Sequence, residues 1–263
     1  MSLLLHISDS HLYDDPEGEL KGVRPHDSYE AVLKAAHEAF PDPDVVVLGG
    51  DMAQDEAVPT YRRVAEMLPW CAPVMISPGN HANLPALQGA LIPALRDCSS
   101  YSDHLDLGRW QVITLNTHRK GTISGFLAAD EMQRLQRLLA ATTDKHTLIA
   151  LHHHPHEIGS RWMDEIALEN REALWDLIAG HEHVKVLLSG HIHQAFDTFY
   201  EGVRVLGSPS TCIQFKRRSD DFGMDDLSPG YRWIKLLDNG QIQTAVERIT
   251  GFIPPDLNNN DPY

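Results

Sequence analysis

The 263 residues, 42% hydrophobic and 22% charged, have the proportions of an ordinary globular chain, long enough to bury about 75% of the unfolded surface without a disulfide or structural metal. No apolar run approaches the length that spans a bilayer, so no membrane partner is expected. A formal charge of −15 repels polyanions at long range, so nucleic acid is not an expected partner either, whereas a small, singly charged anion is tolerated.

The start, Met1 to Ile7, has no basic leader and runs quickly into Ser8-Asp9-Ser10-His11, so no secretory signal is expected and the cytoplasm is the expected compartment. Leu3–Ile7 reads as a buried strand. A helix is expected over Asp27–Phe40, where Tyr29, Val32, Leu33, Ala36 and Phe40 recur at helical spacing. Asp27 with Glu30 forms a capping-box pattern, and Pro41 stops the run. Val45–Leu48, Val74–Ile76 and Val112–Leu115 read as strands, Glu131–Ala141 as an amphipathic helix, Thr147–Leu151 as a strand, Leu168–Ile178 as a helix and Lys185–Leu188 as a strand. Beyond residue 195 the texture changes to hairpins: Phe196–Tyr200 with Val203–Leu206, and Tyr231–Leu237 with Gln241–Ile249. Alternating βα units followed by hairpins imply an α/β fold of two mixed sheets packed face to face, with helices outside. One domain is expected over residues 1–250. Residues 251–263, with Pro254-Pro255 and Asn258-Asn259-Asn260, are expected to be an extended tail. Cys71, Cys98 and Cys212 are odd in number and lack CxxC spacing, and are expected to be reduced, partly buried packing residues.

The polar residues fall where the strands end. Asp9-Ser10-His11 follows the first strand, Gly49-Gly50-Asp51 the second and Gly79-Asn80-His81 the third. His152-His153-His154 follows the fifth, and Gly190-His191-Ile192-His193 the sixth. Ligands of open α/β sheets bind at the carboxyl ends of the strands, so the five clusters can converge. Each alone reads equally well as a capped turn or a solvated run. Five turns that all present metal-capable side chains are poorly explained that way. Two cations held a few ångströms apart repel and need a bridging anionic oxygen, for which Asp51 is suited. Imidazole, carboxylate and amide oxygen without thiolate form a donor set for Mn, Fe or Zn.

At these residues the sequence resembles the calcineurin-like metallophosphoesterase superfamily, whose blocks D-x-H, GD, GN-H, a strand-end His and GH-x-H occur in order from Asp9 to His193. The stretches Gly49 to Asp55, Leu151 to Pro155, Gly190 to Gln194 and Ser208 to Phe215 are similar to the bacterial class III 3′,5′-cyclic-AMP phosphodiesterases, and the resemblance covers nearly the whole chain. It implies a four-layer αββα sandwich binding two divalent metal ions, iron or manganese first and zinc also compatible. Asp9, His11, Asp51 and His193 would surround one ion, and Asp51, Asn80, His152 and His191 the other. His152 is chosen as the first polar residue off its strand, with His153 as the rival. His81 would be a non-ligand facing the phosphate, the candidate general acid. Relatives often carry Asp where this chain has Ala82, so a carboxylate tuning His81 comes from elsewhere or is absent.

The reaction so implied is attack of a metal-bridging hydroxide on 3′,5′-cyclic AMP, in line with the departing 3′ oxygen, giving 5′-AMP. The cyclic nucleotide would touch His11, Asp51, Asn80, His81, His152 and His193. Ser208–Phe215 is expected at the rim of the site, with Phe215 as a purine-stacking face or, on the plainer reading, a core residue. A broad-specificity phosphoesterase is the alternative. A scaffold with a vestigial site is disfavoured, because the candidate ligand set is complete. Monomer and homodimer both fit the sequence.

Overall fold

The structure, a computed structural model, describes residues 1–252, 254, 256 and 257. Two mixed sheets form its centre. Among the described residues the first has five strands and the second six. In the first, β1 (Ser2–Ile7), β2 (Val45–Leu48) and β3 (Val74–Ile76) run parallel, and the hairpin β12 (Gly230–Leu236) and β13 (Ile242–Arg248) adds antiparallel to β1. In the second, β5 (Trp110–Thr114), β6 (His146–Leu151) and β7 (Val184–Ser189) are parallel. β4 (His104–Leu107) closes one edge, and the hairpin β8 (Phe196–Tyr200) and β9 (Val203–Gly207) the other.

The continuous apolar strands have two buried faces, which is why they do not alternate with polar residues. Val45 and Val47 join Met75, Val112, Leu148 and Leu188 in the core between the sheets. Val46 and Leu48, one pleat away, pack outward with Tyr29, Val32 and Val64 against α1 (Pro25–Ala39) and α2 (Val58–Met67). On the far side, Leu135, Leu139, Leu174 and Ile178 of α3 (Ala129–Ala141) and α4 (Arg171–Ala179) cover Ile113, Ile149 and Leu187. The expected four-layer αββα sandwich is the architecture observed.

Some expectations fail for local reasons. Helix α1 starts at Pro25, and its N-cap Arg24 makes no side-chain cap bond, so the Asp27–Glu30 capping box is not formed. Proline at the first helical position sets φ for the helix in its place, and Asp27 lies in the first turn, 3.2 Å from Arg24 Nε. Helix α2, the helical run 84–94 after β3, the edge strand β4 and the short pair β10 (Gln214–Phe215) and β11 (Met224–Asp225) lack a readable period. Cys71 and Cys98 are not reduced packing residues. They form a disulfide, with Cα atoms 5.1 Å apart, while Cys212 is buried and free. The run 84–94 packs back on α2 and returns Cys98 to Cys71, a proximity in space that spacing along the chain does not reveal. Of the expected tail, residues 253, 255 and 258–263 lie outside the described residues. Among the described residues no helix is long and apolar enough to cross a membrane.

Candidate metal centre

The parallel ladder of β1 and β2 continues past the strand ends. Asp9 N–H donates to Gly50 O (3.1 Å), His11 N–H to Asp51 O (2.9 Å) and Leu12 N–H to Met52 O (3.0 Å). The two loops therefore leave the sheet as a bonded pair. Within them the backbone is left-handed at Asp9 (φ 56), His11 (φ 48) and Asp51 (φ 44), and again across the cleft at His191 (φ 66) and His193 (φ 49). Non-glycine residues avoid this region, and its concentration at one place marks a geometry that the surroundings impose. The second sheet is tied on through the His191 N–H, which lies 3.1 and 3.2 Å from the two Asp9 carboxylate oxygens. Gly50 (φ 102) is required doubly, by its backbone and because a Cβ there would overlap the His152 ring.

The hydrogen bonds orient the rings. His11 Nδ1 donates to Gln54 Oε1 (2.7 Å) and His193 Nδ1 to Ile213 O (2.9 Å), which turns the two Nε2 lone pairs toward each other at 3.2 Å. Two acceptors facing each other in a buried site call for a cation between them. His152 Nδ1 donates to Gly49 O (2.6 Å) and directs Nε2 at Asp51 Oδ2 (3.2 Å) and Asn80 Oδ1 (3.3 Å). Asp9 Oδ1 lies 3.5 Å from His193 Nε2. Spacings of this size are the edges of a coordination shell with metal–ligand bonds of about 2.1 Å. His191 Nε2 donates to Ile166 O (3.2 Å), which leaves Nδ1 as its available donor atom. By contrast, both nitrogens of His153 are taken up by the protein: Nε2 donates to Ile123 O (2.9 Å) and Nδ1 accepts from the Thr117 hydroxyl (2.7 Å).

Asp51 belongs to two groups of mutually close donor atoms, one with His11 and His81 and the other with Asp9 and His152. The oxygen and imidazole donors, without thiolate, fit borderline to hard divalent cations. Burial by itself would raise both carboxylates. His193 and His152 around Asp9, and His152 beside Asp51, more than reverse it and hold both below their ordinary range, Asp51 well below. Burial would lower His152, yet Asp51 and then Asp9 push it up to about 9. Burial and the adjoining His193 lower His11 to about 3, and burial among other imidazoles depresses His153 and His191 as well. With both carboxylates ionised, His11, His153 and His191 held neutral and only His152 raised, the site is one that takes up positive charge.

His81 is half-buried. Its main-chain N–H donates to Asp51 Oδ1 (2.9 Å), its ring lies 5.4 Å from that of His11, and it lines a cavity of about 470 Å³ with Asp51, Asn80, His191 and His193. Ala82 is buried, and its N–H closes the turn on Gly79 O (3.2 Å). The opposite wall holds Trp162, Met163, Ile166, Phe215 and Phe222, a volume and lining suited to a small organic ligand. Ser208–Phe215 does not form an open rim. Ser208, Ser210, Thr211 and Ile213 are fully buried, the Ser210 hydroxyl donates to Asp9 O (2.6 Å) and Ile213 O fixes His193, so the block braces the donors from beneath. Phe215 reaches the cavity wall with one face stacked on His193, centroids 3.9 Å apart.

Sequence reasoning missed Gln54, Ser8, whose hydroxyl donates to Asp9 Oδ2 (2.5 Å), and His118, whose Nδ1 donates to Gly79 O (2.9 Å). Gln54 stands three residues beyond Asp51 and Ser8 one before Asp9, so adjacency to the motifs was the available signal. His118 had none.

The calcineurin-like phosphoesterase family profile matches residues 3–195. The chain is 37% identical over 252 residues to the 3′,5′-cyclic adenosine monophosphate phosphodiesterase CpdA of Pseudomonas aeruginosa, covering 95% of this chain and 91% of that protein. It is 38% identical over 256 residues to CpdA of Escherichia coli, covering 95% and 92%. Among solved structures it is similar to a dimetal phosphatase from Danio rerio, with a TM-score of 0.60 at 16% identity, covering 89% of this chain and 94% of that one. A purple acid phosphatase from yellow lupin seeds gives 0.63 at 14%, covering 94% and 51%. These two share the fold.

Proposed function

The chain belongs to the calcineurin-like phosphoesterase family, and from that premise we propose that it hydrolyses 3′,5′-cyclic AMP to 5′-AMP at a two-metal centre. The observation that carries the reaction class is that Asp51 lies within donor reach both of His11, from one proposed set, and of His152, from the other. The substrate is supported by nearly full-length similarity to proteins named as 3′,5′-cyclic-AMP phosphodiesterases. Asp9, His11, Asp51 and His193 would hold one divalent ion, and Asp51, Asn80, His152 and His191 the other. Iron or manganese suits the donors best, and zinc is compatible. When bound, such a pair lowers the pKa of water toward neutrality and offsets phosphate charge.

The chain's own groups do the rest. Gln54, Gly49 O, Ile166 O and Ile213 O fix the imidazole tautomers, so each ring presents a lone pair inward. His81 reaches the cavity without being needed as a donor beside Asn80. In this reading it would protonate the 3′ oxygen as the P–O3′ bond breaks, which matters because an alkoxide is a poor leaving group. The wall of Trp162, Ile166 and Phe222, with Phe215 against His193, would offer apolar area to the purine. Cyclic AMP carries one negative charge, which the acidic protein tolerates, and its ring fixes the phosphate for in-line attack. Product chromatography on purified, manganese-loaded protein tests this. 5′-AMP with 3′-AMP absent is expected; predominant 3′-AMP, or no turnover of cyclic AMP beside brisk cleavage of another diester, defeats the substrate assignment.

A further inference from the structure

The charge lining the cavity is one-sided: its wall contains the carboxylates of Asp51 and Glu56 and, among the described residues, no lysine or arginine. Asp51 faces the donor cluster. Glu56 does not belong to it and stands exposed at the mouth, on a turn of left-handed backbone (φ 53). A chain of hydrogen bonds fixes that turn to the one bearing His81. Glu56 O accepts from Asn83 Nδ2 (3.0 Å), the Asn83 N–H donates to the Tyr61 hydroxyl (2.7 Å) and that hydroxyl donates to His81 O (3.2 Å). Of the nearby cations, Arg119, preceding the wall residues Gly121 to Ile123, pairs with Glu169, whereas Lys21 stands over the wall residue Phe222, 5.7 Å from its ring centroid.

We propose that Glu56 makes the site select singly charged phosphodiesters over doubly charged phosphomonoesters, the 5′-nucleotide product included. The inference rests on the phosphoesterase reading of the centre but not on cyclic AMP being the substrate. A diester carries one negative charge, whereas a monoester carries nearly two above a second pKa of about 6. The carboxylate at the mouth therefore repels a monoester about twice as strongly as a diester. In a partly solvated opening the extra charge changes affinity by about two- to tenfold. The same field favours departure of 5′-AMP after the P–O3′ bond is cleaved.

The test uses manganese-loaded protein at pH 8 with bis(p-nitrophenyl) phosphate as reporter substrate, comparing wild type, Glu56→Gln and Glu56→Lys. In Glu56→Gln, inhibition by 5′-AMP and by inorganic phosphate should tighten about two- to tenfold more than KM for the diester falls. Glu56→Lys should extend the trend, and 0.5 M salt should flatten it. Equal changes for monoester and diester in both variants, or none, overturn the proposal. Cyclic AMP turnover, measured separately, does not enter that comparison, so its absence would strike at the substrate assignment alone.

Discussion

The buried imidazoles make the stability of the metal-free protein depend on pH in a direction that can be worked out. Burial holds His6 and His11 at about 3, against about 6.5 in an unfolded chain. Their contribution is therefore present above about 6.5 and is lost as pH falls toward 3, because the unfolded chain binds protons that the fold refuses. At pH 5.5 each has lost about 1.4 kcal/mol, so the pair alone removes about 3 kcal/mol. That is a large part of the 5–15 kcal/mol typical of a whole domain. His153, His154 and His191, lowered chiefly by burial, add to the loss in the same direction. His152 runs the other way: raised to about 9, it contributes fully below about 6.5, and that contribution fades as pH rises through 9. Stability should thus peak near neutrality. Thermal unfolding in excess chelator should show Tm falling by roughly 6–12 °C between pH 7 and 5.5. Manganese should restore it more effectively at higher pH, since the donor nitrogens bind metal only when deprotonated. A chelated protein whose Tm is flat or rises on going from pH 7 to 5.5 would refute the reasoning.

The remaining expectations concern single side chains. Asp51→Ala should lose both metals and all activity, whereas Asn80→Ala should weaken mainly one site; metal content after chelation and manganese reloading decides, and two ions retained in Asp51→Ala contradicts the bridging role. His81→Ala should keep its metal and lose about 10²–10⁴-fold in cyclic AMP turnover, the scale of a positioned proton donor. The loss should be smaller on a nitrophenyl ester, and equal losses on both substrates point to an electrostatic role instead. Cys71→Ser opens a bridge between residues 27 apart and should cost up to about 3.5 kcal/mol under oxidising conditions and nothing in reductant. Wild-type Tm that is indifferent to reductant would argue that the bridge does not form in solution.

What the sequence disclosed and what it withheld divide along a physical line. Val45–Leu48 and Val74–Ile76 are strands with the bounds that their β-branched and apolar runs suggest, because burial on both faces leaves a local, readable mark. The donors were legible for a related reason: a strand end is where the chain can turn a polar side chain into a cleft, so Asp9, Asp51 and His152 announce themselves by position. Features that depend on distant segments left no such mark. The Cys71–Cys98 bridge, the Ser210 hydroxyl beneath Asp9 and the His118 contact to Gly79 join residues 27 to 201 positions apart.

The backbone strain at the donors was hidden for a third reason, since Asp and His enter the left-handed region more readily than most side chains but signal it far more weakly than glycine does. Each such residue costs on the order of 1–3 kcal/mol and persists only where its surroundings over-determine it. Here the surroundings are identifiable. The β1–β2 ladder runs on through Asp9, His11 and Leu12, and the Asp9 carboxylate captures the His191 N–H from the opposite sheet. Relaxing Asp9 or His11 to ordinary backbone would break those bonds and turn the side chains away from the cleft. The interlocked sheets thus hold five candidate donors in a conformation their local sequence does not favour, and the cleft at the sheets' carboxyl edge is the place where fold stability is spent on the geometry of the candidate cation site.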